Sequence, residues 1–179
     1  MLTYFYEIEM KSLLTKQQYD DLFNELPKKM KHFNEETIHT TRYRPGDLRL
    51  RYSDKTIEVV CKEGNPTTIS RREVQIPLSS MNHLEYFAKM FELQGMKADP
   101  FWIKYKNEFE YFLNGFTYIV CLQDIKDFAY LLEVEFLSKT NDAKIHEPNL
   151  RRIYDELGCE PIEPEDFSSR IQAYIDAKK

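Results

Sequence analysis

Glycine is scarce, with five in 179 residues. A backbone loop that cradles phosphate needs several glycines at fixed spacing. Neither G-x-x-x-x-G-K-[ST] nor G-x-G-x-x-G occurs, so any phosphate bound here must be held by side chains. Cysteine is scarce too. Cys61, Cys121 and Cys159 are odd in number, far apart and in no metal-ligand spacing, which argues against a disulfide framework and reads as the reduced thiols of a cytoplasmic protein. No apolar run approaches the roughly 20 residues of a membrane span. The N-terminus leads directly into a charged strand, so no signal peptide is expected. Positive charge is not in excess. The 30 acidic residues outnumber the 25 basic ones, and a net charge of −5 makes nucleic acid a poor partner.

What is present is the composition of a folded globule, 42% hydrophobic and 14% aromatic, in a length that suits one domain spanning 1–179. Period-two alternation predicts strands over 3–12, 37–44, 47–53, 56–63, 69–78, 101–113, 116–123 and 129–138. Pro45-Gly46-Asp47, Ser53-Asp54-Lys55, Gly64-Asn65-Pro66 and Asn114-Gly115 supply the turns. Thr15 and Gln18 form a capping box for a helix that Pro27 and the Lys28-Lys29 pair end, and Ser80 caps another over 81–94. Two more helices are predicted near 147–157 and 164–177, the last with Pro164 in its first turn. The class is α+β, mostly antiparallel.

The polar parity of these strands is charged rather than merely hydrophilic. Side chains at i and i+2 share a face. Glu7, Glu9 and Lys11 therefore oppose Tyr6, Ile8 and Met10. Arg49 and Arg51, Glu58 and Lys62, Arg71 and Glu73, Lys104 and Lys106, and Glu133 and Glu135 are set against apolar residues in the same way. Either the sheet wets its charged face, or it closes into a barrel whose charged faces point inward and whose outer faces are covered by helices. The segregation of acids into pairs (7/9, 133/135) and bases into pairs (49/51, 104/106) favours the barrel. Such a tunnel would hold a divalent cation on its carboxylates and a polyanion on its bases.

Glu7-Ile8-Glu9-Met10-Lys11 matches the E-x-E-x-K signature, and Arg49-x-Arg51, Lys62, Arg71 to Glu73, Lys104/Lys106 and Glu133-x-Glu135 follow in order. Over roughly 3–138 the chain thus resembles the CYTH proteins, the triphosphate tunnel metalloenzymes. The resemblance implies an eight-stranded antiparallel β-barrel with flanking helices that binds a small-molecule triphosphate with Mg²⁺ or Mn²⁺. It implies that Glu7, Glu9, Glu133 and Glu135 serve the metal, and that Lys11, Arg49, Arg51, Lys62, Arg71 and Lys104 or Lys106 grip phosphates. Glu9, Lys11 and Glu133 would then act at the reacting phosphate.

The chain departs from the family at several positions. Where an Asp usually precedes the late E-x-E, Gln123 stands beside Asp124, and Asp124 could substitute only if a bulge turned it inward. Ala129 replaces an expected Gly, Lys106 an Arg with its bidentate geometry, and the segment from Thr40 to Asp47 is shorter than usual.

Three activities follow from this resemblance. Triphosphate hydrolysis leads, a class IV adenylyl cyclase is the alternative, and a non-catalytic triphosphate-binding module is the reading that Gln123 favours. RNA 5′-triphosphatase fits less well with an acidic chain, and whether the barrel forms a homodimer is left open. His32, His39, His83 and His146 are dispersed and read as surface or turn residues, and Trp102 as filler of the barrel–helix interface.

Overall fold

Residues of alternating character pair into a sheet when each apolar parity can be covered on one side. In the computed structural model, which describes residues 3–178, the elements run in the order β1 (Thr3–Leu14), α1 (Lys16–Lys29), β2 (Lys31–Arg44), β3 (Leu48–Tyr52), β4 (Ile57–Glu63), β5 (Ser70–Pro77), α2 (Met81–Leu93), β6 (Lys97–Ala98), β7 (Trp102–Leu113), β8 (Phe116–Ile125), β9 (Ala129–Ser138), α3 (Ala143–Glu156) and α4 (Pro164–Ala177). Every pairing is antiparallel. The strand order is β3-β4-β5-β1-β9-β8-β7-β2, and β2 pairs back onto β3, so eight strands close in a ring. The two-residue β6 extends the β2 edge at Tyr43 and Arg44. The expected α+β barrel with flanking helices is the fold observed.

The local signals act as their chemistry requires. Thr15 and Gln18 complete the capping box of α1, and Ser80 accepts from the His83 amide at the start of α2. Where the sequence reading differs, the cause is local. β2 starts at Lys31 rather than 37, because a register shift between His32 and Asn34 breaks the alternation that marks a strand. α3 begins at Ala143, four residues before the predicted start near 147, and carries Pro148 inside it.

The outward rows form two cores. Ile8, Leu122, Leu132 and Val134 of the barrel pack with Leu22 and Leu26 of α1 and Leu150 and Ile153 of α3. Leu50, Val59 and Tyr43 pack with Leu84 and Phe91 of α2. Each such side chain contributes roughly 1.5–3 kcal/mol by leaving water. His146 belongs to this interior rather than to a surface or turn. It is 2% exposed, stacks on Phe136 at 3.7 Å and lies 2.9 Å from the Tyr118 hydroxyl.

Tyr154 ties α3 to the sheet, since its buried hydroxyl donates to the Met10 and Leu132 carbonyls at 2.6 and 2.9 Å. Tyr154→Phe is expected to lower stability by about 1 kcal/mol, read as a lower urea midpoint at unchanged slope. An unchanged midpoint would show that these bonds do not hold α3.

Candidate active site

Closing the sheet turns the second parity inward. Glu7, Glu9 and Lys11 of β1, Arg49 and Arg51 of β3, Lys62 of β4, Arg71 of β5, Lys104 and Lys106 of β7, and Glu133 and Glu135 of β9 all line one cavity of about 250 Å³. The structure therefore brings together every residue that the sequence nominated, from six strands. It also corrects Trp102, which faces this cavity rather than the barrel–helix interface.

Charges this deep need partners. Lys11 pairs with Glu9 and lies 3.0 Å from Glu133. Lys62 pairs with Glu7 and lies 2.9 Å from Glu73. Arg51 is 3.1 Å from Glu73 and 3.2 Å from Glu58, and Lys106 is 2.8 Å from Glu108. Asp47, from the β2–β3 turn, accepts two bonds from Arg49 at 2.7 and 2.9 Å and one from Arg71 at 2.9 Å. Burial alone would raise the Asp47 and Glu73 carboxyls. The guanidinium groups hold Asp47 well below its usual range, while Lys62 and Arg51 bring Glu73 down to about 2.

Two groups lie outside this balance. Among the described residues the Lys104 side chain makes no ion pair or hydrogen bond, and burial, with Lys106 nearby, pulls its pKa down despite Glu133. The Glu135 side chain likewise has no hydrogen bond or ion pair among the described residues. Burial first, then Glu7 and Glu133, push its carboxyl well above the usual range. Lys104 is thus a cation without a contacting carboxylate, and Glu135 a buried carboxyl without a contacting cation, among the described residues.

Carboxylate oxygens of Glu7, Glu9 and Glu135 lie within 4.8 Å of one another. Three converging carboxylates suit a hard, oxygen-seeking cation such as Mg²⁺ or Mn²⁺, and the unpartnered Glu135 is the group that such a charge would satisfy. Glu133 stands outside this trio. It accepts from Gln123 Nε2 at 2.8 Å and pairs with Lys11. Although burial raises it, Lys11 and Lys104 hold its carboxyl well below the ordinary range. Gln123 itself points inward and Asp124 does not, because the pairings of β8 run without a shift through both residues and leave no bulge to turn Asp124 around.

Sequence reasoning missed Arg42, Asp47 and Asp99, and the covering of one tunnel mouth by α4. Asp99 accepts from Arg42 at 2.7 Å and from Arg44 at 2.8 Å. Asp99 sits off the strands, where parity says nothing, whereas Asp47, at the start of the strand predicted over 47–53, shares the parity of Arg49 and Arg51 and so carried a signal that was not used. Arg42 did carry a signal, since it shares its parity with Thr40 and Ile38 on a strand already predicted.

Neither family models nor curated proteins match this sequence. Solved structures do match in fold. The PH1819 protein of Pyrococcus horikoshii aligns with a TM-score of 0.71 at 18% identity, over 88% of this chain and 93% of its own. HpAC1 of Hippeastrum, an adenylyl cyclase by assignment whose dominant activity is that of a triphosphatase, aligns at 0.58 with 13% identity, over 89% and 90%. A chain of the Schizosaccharomyces pombe Mediator head module aligns at 0.59 with 15% identity, over 87% and 97%. The chain has the CYTH, or triphosphate-tunnel, fold.

Two outcomes follow from the electrostatics. Glu135 holds its proton above the ordinary carboxylate range, so a cation taken up by Glu7, Glu9 and Glu135 must displace it. Mg²⁺ or Mn²⁺ affinity is therefore expected to rise with pH. Calorimetry in buffers of different ionisation enthalpy should detect proton release, which Glu135→Gln reduces, the remainder coming from Glu7, whose carboxyl burial and Glu9 also raise; binding without released protons would contradict this. Glu73 shows the opposite sign. Its carboxyl is depressed from 4.5 to about 2, so its stabilising effect is complete above the first value and lost as pH falls to the second. Acid unfolding should steepen across that window, and Glu73→Gln should flatten it. Equal slopes would remove Glu73 from the account.

Proposed function

We propose that this chain hydrolyses a triphosphate inside its tunnel, with Mg²⁺ or Mn²⁺ as cofactor. The observation that carries this reading is the pairing of opposite deficits in one cavity. Lys104 is a half-buried cation with no anion in contact among the described residues, and Glu135 is a buried acid with no cation in contact, beside Glu7 and Glu9. A metal–phosphate ligand brings both missing charges at once.

In this reading Glu7, Glu9 and Glu135 hold the cation, which supplies Lewis-acid neutralisation of phosphate oxygens when bound. Lys104, Arg51, Lys62 and Lys106 bind the polyphosphate from the strands opposite, and Arg49 and Arg71 join them at the mouth where Asp47 now holds both. Lys11 keeps Glu133 ionised, and Gln123 fixes its direction. Glu133 is thereby an acceptor that can orient water in line with a phosphorus atom. Phosphoryl transfer asks for positioning and charge stabilisation of this kind more than for covalent chemistry.

The likeness to the Hippeastrum protein supports a triphosphate-acting tunnel and leaves adenylyl cyclisation as the second reading. Gln123 favours the third reading, a binding module without turnover. The likeness to a Mediator chain supports it too, because the fold serves in assemblies as well as in enzymes. The partner proposed is a small triphosphate.

The separating experiment is ³¹P NMR of the purified protein with Mg²⁺ or Mn²⁺, offered tripolyphosphate and ATP. Orthophosphate is the expected product. Pyrophosphate from ATP without orthophosphate would mean a cyclase, and binding without product would mean a module. Glu9→Ala is expected to lower turnover by about two to three orders of magnitude at an unchanged melting profile, and full activity in that variant would sink the assignment.

A further inference from the structure

We infer that the Asp47 carboxylate is a built-in competitor of the ligand's outermost phosphate, a latch that clears the mouth arginines of single phosphates. This inference rests on the triphosphate reading above and concerns the turn between β2 and β3.

An arginine grips a phosphate best through two parallel N–H groups aimed at two oxygens. At Arg49 that fork is already taken, since Nε and Nη2 donate to the two oxygens of Asp47 at 2.7 and 2.9 Å. Arg71 Nη2 donates to one of the same oxygens at 2.9 Å. One carboxylate therefore serves two guanidinium groups, as a phosphate would. Arg49 cannot offer its fork to a ligand while this contact stands. Arg71 keeps spare capacity, because its buried Nε has no hydrogen-bond partner among the described residues.

The side on which a carboxylate sits separates a support from a competitor. Asp99 is a support. It accepts from Arg42 and Arg44 at 2.7 and 2.8 Å, is 6% exposed, and is no part of the cavity wall that Arg42 joins. Asp47 lines the cavity itself, together with Arg49 and Arg71. A phosphate that reaches those arginines meets a like charge on its own side, and the two repel.

The latch can open without moving a strand. The Asp47 carbonyl accepts from the Lys62 amide at 3.0 Å, which anchors the backbone, and a change of side-chain rotamer withdraws the carboxylate. A single phosphate must displace Asp47 unaided. A triphosphate anchored deeper, on Lys104 and Arg51, presents its outer phosphate to the same arginines at high effective concentration. Once hydrolysis cuts that tether, Asp47 returns and the freed phosphate leaves.

The test measures Kd by calorimetry with Mg²⁺ for orthophosphate, tripolyphosphate and ATP. Wild type, Asp47→Asn, Asp99→Asn and the double variant Asp47→Asn/Arg49→Gln are compared. Asparagine keeps the shape of Asp47 and removes its charge. Asp47→Asn should bind orthophosphate and the better-bound triphosphate about tenfold more tightly. Asp99→Asn should show no gain, and Arg49→Gln should cancel the gain of Asp47→Asn. Loss of a supporting contact weakens binding, so partial misfolding of a variant has the opposite sign. A measurement on wild type stands beside the variants: the Asp47 carboxyl ¹³C signal should move when the better-bound triphosphate saturates the protein, while that of Asp99 holds. Binding by Asp47→Asn that is unchanged or weaker, or an Asp47 signal that does not move, would overturn this inference and leave the triphosphate reading standing. Failure of both wild type and Asp47→Asn to bind either triphosphate would overturn both.

Discussion

An ionised group buried away from water costs several kcal/mol unless an opposite charge or a hydrogen bond meets it. This constraint organises the barrel. Once β2 pairs with β3 and the ring closes, the second parity of eight strands has nowhere to point but inward. Helices α1, α2 and α3 already occupy the outside. The inward rows are then wired into alternating pairs, Lys11 between Glu9 and Glu133, Lys62 between Glu7 and Glu73, and Arg51 between Glu73 and Glu58. Wiring of this kind fixes side-chain positions without a ligand and leaves exchangeable partners when one arrives. Asp47, doubly engaged by Arg49 and singly by Arg71, holds the place of an anion at the mouth.

Stability and function pull against each other at the two unbalanced groups. A barrel built only to persist would have given Lys104 a carboxylate and Glu135 a base, or replaced both by apolar residues of similar volume. Keeping both in one cavity is a cost to folding that the proposed metal–phosphate ligand would offset. Gln123 fits the same picture. It places a neutral amide inward and spends it on Glu133. The carboxylate trio is therefore Glu7, Glu9 and Glu135, a set that does not include position 123.

Much of this was legible in the sequence, because a barrel wall is a period-two object and charge segregated by parity survives any detail of register. Glu7-x-Glu9-x-Lys11 already states which residues share a face, and closure adds only that the face is internal. Much of what escaped lies where parity is silent. Asp99 follows β6 outside any strand, so its ion pairs depend on a loop path that no alternation encodes. The bulge after His32 hid the first half of β2. Which three of four glutamates converge depends on barrel stagger, a long-range quantity, and so does the position of α4 across one mouth. Trp102 looked like core because aromatics usually are, although it shares the parity of Lys104 and Lys106 on a strand already predicted.

In the proposed reading, Glu135 and Lys104 are two halves of one metal–phosphate site. Crystals soaked with Mn²⁺ and a non-hydrolysable triphosphate analogue test it most directly. An anomalous manganese peak is expected among Glu7, Glu9 and Glu135, with phosphate density on Lys104 and Arg51. Manganese elsewhere, or phosphate bound only outside the ring of strands, would contradict it.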